Sequence, residues 1–331
     1  MRILVAGPIA ETALSIASAL ASRGHDLCIA DRIDTTIGEE AARLWRAWRP
    51  GAGFLNLTNI PSPHALRDLA DYYHAIVICN NDTGSAFYTD LSISLADAAA
   101  ARDEARPILK FTDLSPCAGV DIGNIRVRNG ACEYKDFPSG IPEIRTLGAL
   151  SDGDRALRLI ATMRDQPILF LRFGELIAPG RLQFSSGDCF NHMTLAALGH
   201  ERESNTNDQI QYSIDSTSDV ADAHALSIVI ERLLVNIPSA GAGMFHFNGG
   251  PAARITLGQA FEYLQLLQKQ QFPFPFSDTA APEARVLDDR GSRSGTGAPR
   301  VCARAAIEQY YHFARRHSAI LLASAPQLVH L

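Results

Sequence analysis

Residues 1–32 constrain the fold more than any other stretch of the chain. Arg2-Ile-Leu-Val-Ala6 is a short apolar run halted by Gly7-Pro8, the pattern of a strand buried on both faces of a parallel sheet. From Ala10 to Ser22 the apolar residues Ala13, Leu14, Ile16, Ala17, Leu20 and Ala21 recur at helical spacing, and Gly24 follows where a left-handed cap is expected. Asp26-Leu-Cys-Ile-Ala-Asp31 then reads as a second strand ending in an acid. Strand, glycine turn, helix, strand and acid, in that order, form the βαβ unit suited to nucleotides.

The alternation persists. Strands are expected at Ala75–Cys79, Pro107–Phe111 and Ile168–Arg172, with helices at Leu91–Arg102 and Asp152–Arg164. Repeated β/α units with short connections imply a mostly parallel sheet with helices on both faces, an α/β fold. Beyond Arg172 the pattern loosens into a polar stretch at 175–215. A helix is expected at Asp219–Leu234, a strand at Met244–Asn248 and helices at Ile255–Gln268 and Arg304–Arg316. Residues 273–300, rich in Pro, Gly, Ser and Arg, read as a loop. The arginines at 285, 290, 293, 300, 304, 315 and 316 make that end locally basic, diluted by Asp288, Asp289 and Glu308.

Composition narrows the partners. With 30 basic residues against 36 acidic ones the net charge is −6, so nothing global attracts a nucleic acid or an anionic membrane. The 331 residues are ample for two domains or one domain with an attached lobe. Six cysteines without a CxxC pair signal neither a disulfide framework nor a zinc knuckle. Cys189, His192 and His200 lack a second close ligand pair, so no metal is expected. The apolar start imitates a secretory signal, but Gly7-Pro8 and Glu11 interrupt it, and the expectation is a cytoplasmic protein with no membrane span.

Three stretches carry a resemblance to a known family: the start MRILVAGPIAETALSIASALASRGHDLCIADR, FTDLSPCAG at 111–119, and DSTSDVADAHALSIVIERL at 215–233 followed by GMFHFNGGPAARITLGQAFEYL. Over about residues 1–265 the chain resembles the extended short-chain dehydrogenase/reductase superfamily, which includes sugar-nucleotide epimerases, dehydratases and dTDP-4-dehydrorhamnose reductases. The resemblance implies a Rossmann-like domain at 1–174, completed by about 212–248. A smaller substrate lobe would take 175–211 and 249–331.

It also implies sites. NAD or NADP would contact Gly7, Ile9, Ala10, Asp31, Arg32 and Asn80, with Asp31 on the adenosine ribose and Arg32 placed for a 2′-phosphate. Thr112 and Asp113 match the pocket-facing end of the central strand and are the candidate catalytic groups. Cys117, Asn191 and His192 are the candidate substrate contacts. The alternatives are a turn that caps its own backbone for Thr112-Asp113, an inert thiol for Cys117 and a surface strand end for Asp31-Arg32.

The family's motifs are incomplete. Its Gly-x-x-Gly-x-x-Gly turn is matched by Gly7, Ala10 and Ala13, and Glu11 puts a carboxylate where a phosphate would sit. The family's proton donor is a Tyr with a Lys four residues on, the lysine lowering the phenol's pKa. Only Lys110, Lys135 and Lys269 exist here, preceded at that spacing by Arg106, Ala131 and Gln265. No Tyr-x-x-x-Lys occurs in the chain. Three functions stay open: a non-redox enzyme or binder of a nucleotide-linked or other small metabolite; an NAD(P)-dependent reductase or epimerase using a non-standard acid; and a non-catalytic regulatory or scaffold subunit. A homodimer or a partner enzyme is compatible with each.

Overall fold

The computed structural model describes residues 1–79, 86–101, 106–112, 125–128, 131–134, 152–183, 188–199, 212–236, 242–247, 249–277, 284–287 and 299–324. Strand β1 (Arg2–Ala6) leads through a single π-helical turn at Ile9–Ala13 into helix α1 (Leu14–Ser22) and back to β2 (Asp26–Asp31). Gly24, at φ +87°, closes α1 as expected. There follow α2 (Thr36–Trp48), β3 (Gly53–Asn56), α3 (Pro63–Tyr72), β4 (Ala75–Ile78), α4 (Ala86–Ala100) and β5 (Ile108–Thr112). The chain continues with β6 (Ile125–Arg128), β7 (Ala131–Tyr134), α5 (Asp152–Met163), β8 (Ile168–Phe173), β9 (Glu175–Leu176), α6 (Cys189–Ala197), β10 (Thr217–Ala221) and α7 (Ala223–Asn236). Last come β11 (Ala242–Phe247), β12 (Arg254–Thr256), α8 (Leu257–Gln268), β13 (Ala284–Leu287) and two terminal helices, Ala303–Arg316 and Ser318–Ser324.

Seven strands form one parallel sheet in the order β11-β8-β5-β4-β1-β2-β3. Strand β4 is sealed on both faces because it is apolar throughout: all four residues of Ala75-Ile-Val-Ile78 are buried. Alternate side chains feed two cores. Ile3, Val5, Val77, Leu109 and Leu171 join one cluster with α1, α2 and α7, while Leu4, Ile76, Ile108 and Phe170 join another with α3, α4 and α5. This is a Rossmann-like, doubly wound α/β architecture. A second sheet, β12-β10-β13-β7-β6 with β9 paired to β10, lies on the other part of the chain.

Several elements differ from expectation. The segment from Asp219 does not start as a helix: Thr217–Ala221 is a strand paired with Ile255 and Arg254, and α7 begins only after Asp222, whose Oδ1 accepts the Ala225 N–H at 2.7 Å. Pairing with a neighbouring strand overrides the local helical pattern, and the Asp222 cap sets the boundary. Likewise Arg254–Thr256 is a strand, and α8 starts behind the Thr256–Gln259 capping box. The loop expected at 273–300 contains β13, held by β10 and β7. Helix α4 begins at Ala86, five residues before the expected Leu91.

Candidate functional site

The sheet order reverses at β1, with β2 on one side and β4 on the other, so the carboxyl ends of these strands flank the crevice where ligands of such folds bind. Gly7 turns the chain there and donates its N–H to the Ala30 carbonyl at 3.1 Å. The following π turn, closed by the Leu14 N–H on the Ile9 carbonyl, is drawn inward. Pro8 C=O accepts the N–H groups of Glu11 and Thr12 at 3.2 Å and Ala13 at 3.3 Å, and the Ile9 N–H donates to Asp31 Oδ2 at 2.8 Å. Of the amides at this helix N-terminus that lack an ordinary helical acceptor, that of Ile9 is taken by Asp31 and that of Glu11 by Pro8. From outside, Leu182 and Gln183 donate their N–H groups to the Ala10 carbonyl at 2.7 and 2.9 Å. Ile9 and Ala13 are fully buried and Ala10 nearly so.

Asp31 sits at the end of β2 with 3% of its surface exposed. Besides the Ile9 amide it accepts the Arg32 N–H at 2.7 Å and the Tyr88 hydroxyl at 2.6 Å, both on Oδ1. Burial pushes its pKa from 3.8 up to about 6, against the three hydrogen bonds that favour the carboxylate, with Asp34 adding repulsion. Arg32 extends away, its guanidinium 4.5 Å from the Phe87 ring centroid and 2.9 Å from Asp34. The chain's own Tyr88 and Phe87 thus take up the end of the crevice next to Asp31.

The raised pKa has a sign. A carboxyl that holds its proton more tightly when folded contributes stability below about pH 4 and loses it as pH rises through about 6. Asp31→Asn is expected to show a fixed loss from its altered hydrogen bonds. On top of that, its stability relative to the native chain should rise by up to about 3 kcal/mol from pH 4 to pH 7. Urea unfolding of both proteins at the two pH values checks this, and a flat difference would contradict it.

A second group of residues joins the first from the segment that follows β9. Arg181, 6% exposed, forms a two-pronged pair with Asp188, Nη1 to Oδ1 at 3.1 Å and Nη2 to Oδ2 at 2.9 Å. Its Nε donates to the Glu11 carbonyl at 2.9 Å and its Nη1 to the Leu176 carbonyl at 2.7 Å. The guanidinium therefore ties the π turn ahead of α1 to the segment leading into α6. Asn191, on α6, brings its Nδ2 within 3.4 Å of that same Leu176 carbonyl. Burial raises the Glu11 pKa, Arg181 opposes the rise, and Asp188 and Asp31 add to it.

Of the expected site residues, Gly7, Ile9, Ala10, Asp31 and Arg32 converge at the crevice, and Asn191 reaches it through Leu176. His192 is half-buried on α6, its N–H donated to the Asp188 carbonyl at 3.1 Å. Thr112 ends β5 opposite Arg172 of β8. Asn80, Asp113 and Cys117 lie outside the described residues, as does the side chain of Thr112. Tyr88, Arg181 and Asp188 belong to no sequence motif and join these residues only in the folded chain. Lys110 is fully buried in β5, its Nζ 3.4 Å from Asp154 Oδ1 on α5 and donating to the Phe111 carbonyl at 2.8 Å. Among the described residues no cluster of His, Cys, Asp and Glu could hold a metal ion, and no helix is long and apolar enough to cross a membrane.

No protein-family model matches the sequence, and no curated protein matches it by sequence. Solved structures do match. A UDP-glucuronic acid 4-epimerase from Bacillus cereus, in complex with UDP-glucuronic acid and NAD, superposes with a TM-score of 0.71 at 12% identity, over 96% of this chain and 99% of the other. This chain has the fold of the extended short-chain dehydrogenases/reductases. A UDP-glucose 4-epimerase from Thermus thermophilus, in complex with NAD, gives 0.69 at 12% identity, over 95% and 99% of the two chains. An epimerase from Methanothermobacter thermautotrophicus gives 0.65 at 12%, over 98% and 94%. The similarity runs nearly the whole length of both chains.

Proposed function

We propose that this chain uses the epimerase fold to bind a small metabolite in the crevice between its two lobes, as a binder or a non-redox enzyme, and not to transfer hydride. One observation carries the reading. The carboxylate expected to hold the adenosine ribose is capped by Tyr88, beside a helix N-terminus where Asp31 takes the Ile9 amide and Pro8 the Glu11 amide. A dinucleotide fits these residues poorly. Its pyrophosphate would meet Ala10 where the family has glycine and the Glu11 carboxylate beside it, and its ribose would have to displace the Tyr88 hydroxyl. The proton relay is missing as well. The sequence contains no Tyr-x-x-x-Lys, and the Lys110 ammonium is enclosed in the sheet against Asp154 rather than presented to the crevice.

A second reading, an NAD(P)-dependent epimerase or reductase acting on a sugar nucleotide or another carbonyl substrate, draws support from the full-length likeness to NAD-bound UDP-sugar epimerases and from the retained acid at Asp31. In that reading Thr112 and Asp113, at and just past the end of β5, are the groups to supply the acid.

Turnover separates the two. The purified chain, incubated with UDP-glucose or UDP-glucuronic acid and NAD, is expected to give neither the absorbance of reduced nicotinamide nor an epimerised product. Formation of either would establish the second reading.

A further inference from the structure

Two consecutive residues of α4 reach the end of β2. The first turn of the helix carries Phe87 and Tyr88, their ring centroids 5.3 Å apart and their planes at 80°. The Phe87 ring lies under the Arg32 guanidinium at 4.5 Å, and the Tyr88 hydroxyl donates to Asp31 Oδ1 at 2.6 Å. One helical turn thus engages both residues, Asp31 and Arg32, that the sequence offers to a ligand at this end of the crevice. The turn is itself held, because the Tyr88 carbonyl accepts the hydroxyl of the buried Ser92 at 2.7 Å.

The chemistry of Asp31 gives the contact its weight. A carboxylate withdrawn from water needs donors in place of it. The Ile9 amide, 2.8 Å from Oδ2, and the Arg32 amide, 2.7 Å from Oδ1, are backbone groups fixed by the fold. Tyr88 supplies a side-chain hydroxyl, the same kind of donor that a sugar or a nucleoside presents. Asp31 is 3% exposed while Tyr88 is half-buried, so the phenol is the partner on the side of the solvent.

We propose that Tyr88 is a specificity-determining residue that closes the Asp31 end of the crevice from within: its hydroxyl takes the acceptor that a ligand's sugar hydroxyl would need, so a nucleoside is admitted there only when the phenol is removed. The proposal rests on the reading of the crevice as one that a dinucleotide does not use, and it assigns the exclusion of the ribose to one side chain, apart from Ala10 and Glu11 at the turn.

Adenosine is the probe that tests it, because it is uncharged and carries the ribose hydroxyls without a pyrophosphate. In calorimetric titration of the full chain, Tyr88→Ala should bind adenosine at least about tenfold more tightly than the native chain does. Most of that gain should vanish with 2′-deoxyadenosine, which lacks one of the hydroxyls, and in Tyr88→Ala combined with Asp31→Ala. Tyr88→Phe frees Oδ1 but keeps the ring, so it should gain affinity by a smaller factor. A tyrosine that only supports the fold would yield no gain of binding on removal. If circular dichroism shows that Tyr88→Ala does not fold, Tyr88→Phe decides alone. A native chain that binds adenosine as tightly as the variants, or a gain that survives the loss of Asp31, would overturn the proposal. Silence of the folded variants would overturn it too, while leaving the non-redox reading in place. That reading fails on a different observation, the reduction of NAD or an epimerised product from the native chain.

Discussion

Lys110→Met is expected to destabilise the protein by about 3–5 kcal/mol, while Lys110→Met combined with Asp154→Leu recovers most of that loss. Lys110 lies in the middle of the parallel sheet, flanked by Ile78 of β4 and Phe170 of β8, and both it and Asp154 are almost wholly removed from water. Removing the cation alone takes the opposite charge from beside a buried carboxylate in a low-dielectric core. Removing both charges replaces an expensive desolvated pair with apolar volume. Urea midpoints for the two variants and the native chain give the answer. Equal losses in the single and double variants would mean that the pair's charge plays no part, and that only the packing of Lys110 matters.

Gly174→Ala is expected to have a still larger effect. A methyl group there would stand 1.8 Å from the carbonyl oxygen of Asp219 and 2.5 Å from its carbonyl carbon. Both atoms are backbone. Asp219 has nowhere to retreat, because it is fully buried, paired in register with Arg254 and bonded to that side chain at 3.1 Å. Gly174 lies where β8 of the main sheet hands over to β9 and β10, so separating these backbones breaks the join between the sheets. A loss of more than about 4 kcal/mol, seen as insoluble expression or a collapsed unfolding transition, is the expected result. Gly24→Ala is the control: its φ of +87° is strained for alanine but nothing lies within 4 Å of the added carbon, so the loss should be about 1–2 kcal/mol. Similar losses at both positions would contradict the steric account.

The strands of the main sheet were legible because buried parallel strands are short apolar runs. Arg2–Ala6, Asp26–Asp31 and Ile168–Phe173 stand where the sequence places them, to within a residue. Helices α2 and α3 bury one face each and expose charged residues on the other, a periodicity present in the sequence but not read from it, whereas β3, a half-exposed edge strand of four residues, gives little signal. In the site, Gly7, Ile9, Ala10 and Asp31 were readable because one local βαβ motif holds them. Tyr88 meets Asp31 across 57 residues of sequence and Arg181 meets Glu11 across 170. Neither belongs to a motif, and Arg181 is one arginine among many. What the sequence did show was local: Ala10 and Ala13 in place of glycines, Glu11 between them, and the absence of a Tyr-x-x-x-Lys.

If the crevice does not serve a nicotinamide dinucleotide, as proposed above, calorimetric titration of the purified chain with NAD, NADH, NADP and NADPH is the most direct test. No saturable heat with any of the four is the predicted result. Micromolar binding of one of them, about −8 kcal/mol, and weakened by Asp31→Ala or Arg32→Ala, would contradict it.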